Sequence, residues 1–331
     1  MDIETDLSTI IFDAGFDFEK ASLHLFRFQY HHNPVYQKYV DALGISPDTV
    51  QHLAEIPFLP VRLFKTHAVT TTHFKPELVF ESSGTTHTIN SRHFIKDAGL
   101  YEKSFFNCFQ GFYGQMSDWC ILGLLPSYLE RKNSSLVYMV QKLAEKSKHP
   151  LSGFYLNDFD KLANTLNELE AAKQKTLLMG VTFALLDFAE QYPIPLQNTV
   201  VMETGGMKGR RKEMLRVEVH EQLKTAFALP AIHSEYGMSE LLSQAYSNGN
   251  GLFRTPQWMR IFLRDESDPL GIKPFTGHSI RGLINVIDLA NIYSCAFIAT
   301  DDLGILYPDG SFEVTGRMDN SDLRGCSLLA V

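Results

Sequence analysis

The chain has 331 residues, of which 44% are hydrophobic and 21% are charged, so its composition is that of a globular protein with a sizeable core. This length fits one large domain or two domains of ordinary size. The net charge of −8 argues against nucleic acid or an anionic membrane as the main partner, since binding to either would need a basic face. We therefore expect small molecules or other proteins as partners.

The cysteines are far apart and form no Cys-x-x-Cys pair; they are Cys108, Cys120, Cys295 and Cys326. Neither a zinc site nor a disulfide framework is indicated, which favours a reducing cytoplasm. Residues 1–6 are acidic and lack the basic region of a signal peptide, and no apolar run is long enough to cross a membrane. The sequence predicts a soluble, cytoplasmic protein with no integral membrane segment.

The first part of the chain, from residue 17 to about residue 54, has a helical pattern. Asp17 is a good N-cap, Leu23 and Phe26 recur on one face, and the pattern breaks at Asn33 before a proline. We expect this part to be a helical cover.

The middle of the chain, from residue 119 to residue 235, alternates between short apolar strands and amphipathic helices. The predicted strands lie near 119–125, 176–179, 199–202 and 231–234, and the helices near 135–146, 158–169, 183–191 and 215–227. Such alternation predicts an α/β fold with a mostly parallel sheet covered by helices. Ligands of these sheets bind at the carboxyl ends of the strands.

The last part, from about Trp258 onward, contains short alternating runs such as residues 283–287 and 296–299, separated by Gly, Asp and Pro. This pattern predicts a small β-rich subdomain. We expect one large domain in three parts, with the cover and a polar loop in residues 1–115, the α/β core in 116–255 and the β-rich part in 256–331.

A run of small and hydroxylated residues follows the apolar Phe80 and Glu81; it consists of Ser82, Ser83, Gly84, Thr85 and Thr86. Hydroxyls beside a glycine allow backbone N–H groups and side-chain donors to converge on phosphate oxygens. Taken alone, an ordinary polar turn explains the run equally well.

Three further polar clusters follow predicted strands, where loops tend to carry function. They are residues 203–209 with the paired Gly205 and Gly206, residues 234–240 with Tyr236 and Glu240, and residues 300–304 with Asp301. Paired glycines let a flat ligand approach the backbone, a tyrosine offers a stacking surface, and a carboxylate holds a divalent metal or accepts hydrogen bonds from ribose. Each cluster also has a purely structural explanation. The first can be a strand-to-helix turn, the second a surface aromatic with a solvated glutamate, and the third a hairpin turn.

The order and spacing of these clusters resemble the adenylate-forming superfamily, which includes acyl-CoA ligases and the adenylation domains of peptide synthetases. The resemblance implies that residues 82–86 form the phosphate loop. It also implies that Gly205 and Gly206 contact adenine. Residues 236–240 resemble the Tyr-Gly-x-Thr-Glu motif of the superfamily, in which the aromatic ring packs on adenine, so the same role is implied for Tyr236. The implied ATP-binding residues are Ser82, Ser83, Gly84, Thr85, Thr86, Gly205, Gly206, Tyr236, Gly237, Ser239, Asp301 and Arg317.

In this family the motif glutamate holds Mg²⁺, so the resemblance implies that Glu240 is the metal ligand. It also implies that Glu240 and Arg317 are catalytic, that Asp301 and Arg317 reach the ribose, and that Asp319 lies at a hinge.

Within the superfamily the chain is most similar to acyl-protein synthetases of the LuxE type. The stretches that carry this likeness are residues 58–60, 63–65, 204–211, 234–241 and 319–326. The likeness implies activation of a carboxylic acid, typically a fatty acid, with ATP and Mg²⁺. It also implies transfer of the acyl group to a protein thiol on an acceptor such as a reductase or carrier.

The chain departs from the superfamily pattern at two places. His87 stands where the phosphate loop continues with glycine, and no lysine follows; Arg92 or His93 is an alternative cation. The chain also ends shortly after the hinge position, so the C-terminal lid domain and its lysine are expected to be absent. Lys65 and Lys208 are candidates for the missing positive charge.

Cys326 is the candidate acyl-accepting thiol, because it follows Arg324 and Gly325 near the C-terminus, where a nearby cation would favour the thiolate. The alternative is an ordinary buried cysteine. Cys295, inside an apolar run, is expected to lie in the core.

The sequence therefore predicts a ligase that converts an acid to acyl-AMP and then acylates a thiol. A CoA-forming or amide-forming ligase, and a non-catalytic module that binds an acyl group or nucleotide, remain alternatives.

Overall fold

The computed structural model describes residues 3–82, 89–125, 133–156, 158–205, 214–266, 268 and 270–318. The α-helices are α1 (Ile3–Ile10), α2 (Phe18–His32), α3 (Pro34–Ala42), α4 (Leu63–Thr66), α5 (Ala98–Tyr113), α6 (Ser135–Ser147), α7 (Phe159–Ala171), α8 (Thr182–Gln191) and α9 (Arg216–Phe227). The strands up to residue 204 are β1 (Leu59–Pro60), β2 (Leu78–Glu81), β3 (Arg92–Ile95), β4 (Cys120–Leu124), β5 (Gly153–Phe154), β6 (Thr176–Val181) and β7 (Thr199–Thr204). The later strands are β8 (His233–Tyr236), β9 (Ala245–Ser247), β10 (Phe253–Arg254), β11 (Met259–Arg264), β12 (Ile280–Asp288), β13 (Phe297–Leu306) and β14 (Phe312–Arg317).

One large sheet runs through the described part of the chain, with 12 strands in total. Its path is β11-β12-β13-β14-β10-β9-β8-β7-β6-β4-β5, and β1 joins it in parallel beside β13. Strands β5, β4, β6, β7 and β8 are mutually parallel. Every residue of β4 and β6 is buried, as expected when helices cover both faces of a parallel sheet. The predicted α/β class is confirmed.

The strands after residue 245 pair in antiparallel fashion, and they continue the same sheet beyond β8. The predicted β-rich character of this part is therefore confirmed. The antiparallel strands extend the sheet in the direction of β13 and β14, so polar side chains near the ends of these strands come close to the carboxyl end of β8.

The N-terminal helices begin and end where their polar caps predict. Asp17 accepts a hydrogen bond from the backbone N–H of Lys20 at the start of α2, at 3.0 Å. Asn33 ends α2 and caps α3, since its Oδ1 accepts from the N–H groups of Val35 and Tyr36, each at 3.1 Å. Its Nδ2 donates to the Ser294 carbonyl at 3.0 Å, which ties this cover to the loop between β12 and β13.

The same loop is held more firmly by Gln29 of α2, which is fully buried. Its Nε2 donates to the carbonyls of Asn291 and Ile292, both at 2.9 Å, and its Oε1 accepts from the N–H of Ala296 at 2.9 Å. The helical cover thus fixes the position of residues 288–296, which contact the candidate site described below. None of the described helices has the length and apolar character needed to span a membrane.

Candidate functional site

Tyr236 ends β8, and its side chain is buried between two aromatic rings and a carboxylate. Its ring centroid lies 6.0 Å from that of Phe253 and 5.5 Å from that of Phe312. Its hydroxyl donates to Oδ2 of Asp302 at 2.9 Å. Burial raises the pKa of Tyr236 well above its usual value, so the phenol keeps its proton and acts as a donor.

Asp302 on β13 faces Arg317 on β14, because the two residues are partners in the antiparallel register. The Nε of Arg317 lies 3.7 Å from Oδ1 of Asp302. Burial raises the pKa of Asp302, and the nearby Arg317 cation and the Tyr236 hydroxyl oppose that rise. The side chain of Arg317 is 69% exposed, so it lies at the mouth of this arrangement, available to a ligand.

Asp301, the acid selected from the sequence, lies elsewhere. Its Oδ2 accepts from Nε of Arg62 at 3.1 Å, and Arg62 directly precedes α4. Neighbouring residues of a strand point to opposite faces, so Asp301 and Asp302 cannot both face Tyr236. The structure thus brings Asp302, and not Asp301, together with Tyr236 and Arg317. Asp302 was not among the site residues predicted from the sequence.

Glu240 is buried, with 7% of its surface exposed, and burial raises the pKa of its carboxyl group. Arg317 and Lys65 oppose this rise by their charge, yet Arg317 makes its ion pair with Asp302. The Ser91 hydroxyl also faces Glu240, and its buried oxygen has no hydrogen-bond partner of good geometry. A buried carboxylate beside an unpaired oxygen fits a cation, so this place suits Mg²⁺.

Side chains from two distant segments hold the backbone around Glu240. His93 of β3 has Nδ1 at 2.8 Å from the Ser239 carbonyl oxygen and Nε2 at 3.1 Å from Oδ1 of Asn291. Asn291 in turn donates from Nδ2 to the Glu240 carbonyl at 2.8 Å. Burial lowers the pKa of His93 to about 4, so His93 is neutral near pH 7 and supplies no charge for a phosphate. Arg92 is exposed, 5.7 Å from the ring of Phe94.

Asp288 at the end of β12 holds the next part of the same loop. Its Oδ2 accepts from the N–H groups of Leu242 and Ser243 at 2.8 and 3.0 Å. Its Oδ1 accepts from the Ser243 hydroxyl at 2.6 Å and from the Ala290 N–H at 3.2 Å. Asp288 and Asn291 together fix the backbone that carries Ser239 and Glu240.

The polar run begins at Ser82, directly after β2. The Ser82 N–H donates to the Ser91 carbonyl at 3.2 Å, and the Ser91 N–H donates to the Ser82 hydroxyl oxygen at 3.0 Å. Because Ser91 also faces Glu240, the base of this loop lies beside the candidate metal ligand. Several predicted site residues lie outside the described residues, namely Ser83, Gly84, Thr85, Thr86, His87, Gly206, Lys208, Asp319 and Cys326.

Gly205 follows β7 with φ of +74°, a conformation that glycine adopts without strain. Its carbonyl accepts from the Thr182 hydroxyl at 3.3 Å. Gly237 is exposed directly after Tyr236.

Cys295 is fully buried, and burial raises the pKa of its thiol to about 12, so it is a core residue, as expected.

No group of three or more His, Cys, Asp or Glu side chains forms a metal site among the described residues. A magnesium ion at Glu240 would therefore take its other ligands from phosphate oxygens and water, as is usual for this ion. Glu235, which neighbours Tyr236, is a further carboxylate at this edge of the sheet; the sequence analysis gave it no role.

Comparisons with known proteins identify the family of this chain. The family described as acyl-protein synthetase, LuxE, matches residues 17–330. A long-chain-fatty-acid–luciferin-component ligase from Aliivibrio fischeri is 24% identical, over 94% of this chain and 86% of that protein. The Vibrio harveyi protein of the same name is 23% identical, over 92% of this chain and 84% of its own length.

Solved structures share the fold at low sequence identity. ATP-bound MatB from Rhodopseudomonas palustris superposes with a TM-score of 0.54 at 15% identity, over 72% of this chain and 47% of that chain. A long-chain-fatty-acid-CoA ligase, FadD1, from Archaeoglobus fulgidus gives a TM-score of 0.52 at 14% identity, over 76% of this chain and 53% of that chain. The chain thus spans about half the length of these structures. It has the fold of the adenylate-forming enzymes, and it belongs to the LuxE family of acyl-protein synthetases.

Proposed function

We propose that this protein activates a fatty acid with ATP to give acyl-AMP and then transfers the acyl group to a thiol of a protein. The observation that carries the proposal is the convergence of Tyr236, Asp302, Arg317 and Glu240 beside the base of the polar loop at Ser82. The relatives named as long-chain-fatty-acid ligases support a fatty acid as the substrate.

In the first step, a carboxylate oxygen of the acid attacks the α-phosphorus of ATP. The bond from this phosphorus to the bridging oxygen breaks, and the electron pair leaves with pyrophosphate. Both reactants are anions, so the site must supply positive charge where they meet. Arg317 at the mouth of the site and Lys65 near Glu240 are the cations that the described residues place there.

The nucleoside part of ATP would lie near Tyr236. Asp302 has a carboxylate that can accept hydrogen bonds from ribose hydroxyls, and it is held in place by Tyr236 and Arg317. We assign the ribose-binding role to Asp302 for this reason, and we assign to Asp301 the role of orienting Arg62. The ring of Tyr236 would offer an apolar surface to adenine.

Magnesium, when bound, offsets the negative charge of the phosphate oxygens during the transfer. Glu240 would be its protein ligand, since this carboxylate is buried, its pKa is raised by burial, and its charged form needs a cation. Asn291 and His93 hold the backbone of Ser239 and Glu240 and so orient that carboxylate.

In the second step, a thiolate attacks the acyl carbon, and the bond from this carbon to the AMP phosphate oxygen breaks. The proton of the thiol passes to solvent or to a base, and AMP leaves. Cys326 is our candidate for a thiol of the chain itself, and a thiol of a reductase or carrier protein is the final acceptor. Two other ligase activities compete with this proposal. Attack by the thiol of coenzyme A would make the protein a CoA-forming ligase, and attack by an amine would make it an amide-forming ligase.

The test of this proposal is carboxylate-dependent exchange of labelled pyrophosphate into ATP, with a panel of fatty acids of different length and Mg²⁺. We expect exchange with at least one acid, and dependence of the exchange on Mg²⁺. Folded protein that binds an acyl-AMP analogue but exchanges no label with any acid would instead be a binding module.

The nucleophile is tested by intact mass spectrometry after incubation with the acid that supports exchange. We expect an acyl adduct on the wild-type chain and its loss in Cys326→Ser. An adduct that persists in Cys326→Ser, or acyl-CoA as the main product when coenzyme A is added, contradicts transfer through Cys326.

A further inference from the structure

A carboxylate and an amide side chain flank Gly237 of the nucleotide motif, and the carboxylate lies on the opposite face of β8 from Tyr236. Glu235 directly precedes Tyr236, so their side chains point to opposite faces of the sheet. Glu235 is paired in register with Thr204 of β7, whose hydroxyl donates to its Oε2 at 2.5 Å. Its other oxygen turns toward Gly237, where an added Cβ would lie 2.4 Å from Oε1.

Gln244 lies next to the same glycine. Its Cγ would be 3.6 Å from a Cβ added to Gly237, so the side chains of Glu235 and Gln244 both lie beside this glycine. Gln244 is 4% exposed, and its Oε1 is a buried acceptor with no hydrogen-bond partner. A buried acceptor without a donor is costly, by about 1–3 kcal/mol, and native proteins keep few of them. This orphan oxygen points to a donor supplied by a ligand.

The surroundings of these two acceptors are aromatic. Tyr246 of β9 is the register partner of Glu235 on the other side, and its ring centroid lies 5.3 Å from that of Phe112 of α5. Burial raises the pKa of both Tyr101 and Cys108 of α5, and the charge of the nearby Glu235 adds to the rise. An apolar wall with a few convergent polar atoms at the carboxyl ends of parallel strands is typical of a small-molecule site.

The chemistry of the two acceptors restricts the occupant. The Thr204 hydroxyl already donates to Glu235, so a plain hydrocarbon chain would leave the buried Gln244 oxygen without a donor. A hydroxyl or amino group on the ligand supplies the missing N–H or O–H. Tyr101 packs on Phe80 of β2, with 5.3 Å between the ring centroids, and Ser82 follows Phe80 by two residues at the base of the polar loop. Ser82 bonds to Ser91, which faces Glu240, so the hydroxyl or amino group of the ligand would lie close to the reacting carboxyl end of the acid.

We propose that Glu235 and Gln244 bind a hydroxyl or amino substituent near the carboxyl end of the acid substrate, so that the protein selects a substituted acid over the unsubstituted one. This inference rests on the proposed acid-activating function and specifies the class of acid.

The test compares tetradecanoic, 3-hydroxytetradecanoic and 3-aminotetradecanoic acids, together with shorter homologues of each, in the pyrophosphate exchange assay. We expect kcat/KM for one substituted acid to exceed that of its parent by at least about tenfold. Glu235→Ala and Gln244→Leu should each reduce this preference toward unity. Glu235→Gln should retain a preference for the hydroxy acid and lose a preference for the amino acid. Glu221→Ala, an exposed position on α9, is the matched control.

Each outcome is decisive, provided that circular dichroism and thermal unfolding confirm that every variant is folded. Exchange with unsubstituted acids at equal or higher kcat/KM overturns the inference and leaves the proposed function standing. So does a preference that both Glu235→Ala and Gln244→Leu retain. If the wild-type protein exchanges with none of the acids and binds neither the tetradecanoyl nor the hydroxytetradecanoyl sulfamoyl adenosine by calorimetry, the proposed function itself fails.

Discussion

The hydroxyl of Tyr236 donates a hydrogen bond to Oδ2 of Asp302 across 2.9 Å, and this contact joins the last residue of β8 to the middle of β13. It links the parallel half of the sheet to the antiparallel half at the edge where the candidate site lies. Arg317, opposite Asp302 in the register, completes this group. The site is therefore assembled from β8 and from the consecutive strands β13 and β14, with 66 residues of sequence between Tyr236 and Asp302.

The two neighbouring acids of β13 should differ in their effect on ATP binding. We expect Asp302→Asn to raise the KM for ATP by about 10-fold or more, because hydrogen bonds to a charged group contribute about 1.5–3 kcal/mol. Asp301→Asn should change it less than about threefold, since Asp301 pairs with Arg62. Steady-state kinetics of the exchange reaction measures both values. The reverse order would assign the ribose to Asp301.

Glu240→Gln should depress turnover far more than it weakens binding of the acid. The neutral amide cannot offset a metal charge, so we expect kcat to fall by about 100-fold or more and the Mg²⁺ concentration for half-maximal rate to rise. Exchange kinetics across a Mg²⁺ titration, with acid affinity from calorimetry, gives both values. Glu221→Gln on the exposed face of α9 is the control for the same chemical change. Equal losses in kcat and in acid affinity would count against a metal role.

Lys65→Ala should lower kcat with little change in the KM for ATP. Lys65 acts on the Glu240 carboxylate by its charge, and loss of one such cation from the transfer step is expected to cost about 10- to 100-fold in rate. Lys65→Arg should retain part of the activity, and Lys38→Ala, an exposed lysine of α3, should retain all of it. An unchanged kcat in Lys65→Ala would remove Lys65 from the mechanism.

Asp288→Ala should destabilise the fold. Its carboxylate is fully buried and accepts four hydrogen bonds, so the alanine variant leaves the N–H groups of Leu242, Ser243 and Ala290 without an acceptor. We expect a loss on the order of 3 kcal/mol in the free energy of unfolding. Urea denaturation followed by circular dichroism measures it, with Asp48→Ala in an exposed turn as control. A loss no greater than that of the control would mean that this loop is held in another way.

Stability should fall as the pH rises through the titration range of Glu235. Burial raises the pKa of this carboxyl group from 4.5 to about 7, so ionisation above pH 4.5 is less favourable in the folded protein than in the unfolded chain. The contribution of the neutral carboxyl group to the free energy of unfolding is complete below pH 4.5. It decreases as the pH rises above 4.5 and is lost once the pH passes 7.

Glu235→Gln removes this titration. Between pH 4.5 and pH 8.5, the free energy of unfolding of the variant should therefore increase relative to that of the wild type by an amount on the order of 2 kcal/mol. This figure is lower than the full pKa shift implies, because the Glu235 side chain is partly in contact with solvent. Urea denaturation of both proteins at the two pH values measures the difference. A pH-independent difference would show that Glu235 ionises normally in the folded state.

Local patterns made much of the α/β core predictable. The strand β6 is wholly buried and apolar after Thr176, and α7 has a clear apolar stripe, so each was identified close to its actual bounds. The helix α5 was not identified. Its 16 residues include two glycines and several aromatic side chains on more than one face, which weaken both the helical propensity and the periodic pattern.

The chemistry of the site was easier to predict than its geometry. Tyr236 and Glu240 were recognisable because they lie in one short motif. The choice between Asp301 and Asp302 depends on which face of β13 each occupies, and two identical side chains give no local signal for that. The roles of Asp288 and Asn291 were also hidden, because they act on residues about 45 to 51 positions away.

The attachment of Gln29 to residues 291–296 has a consequence for the order in which the protein matures. These contacts span more than 260 residues of sequence, and the loop that they fix is the one that holds Ser239 and Glu240. On the ribosome, the motif around Tyr236 is synthesised well before the strands that lock it. A nascent chain that ends before β13 therefore has every residue of this motif but no site, and nucleotide binding should begin only after β13 and β14 have been synthesised.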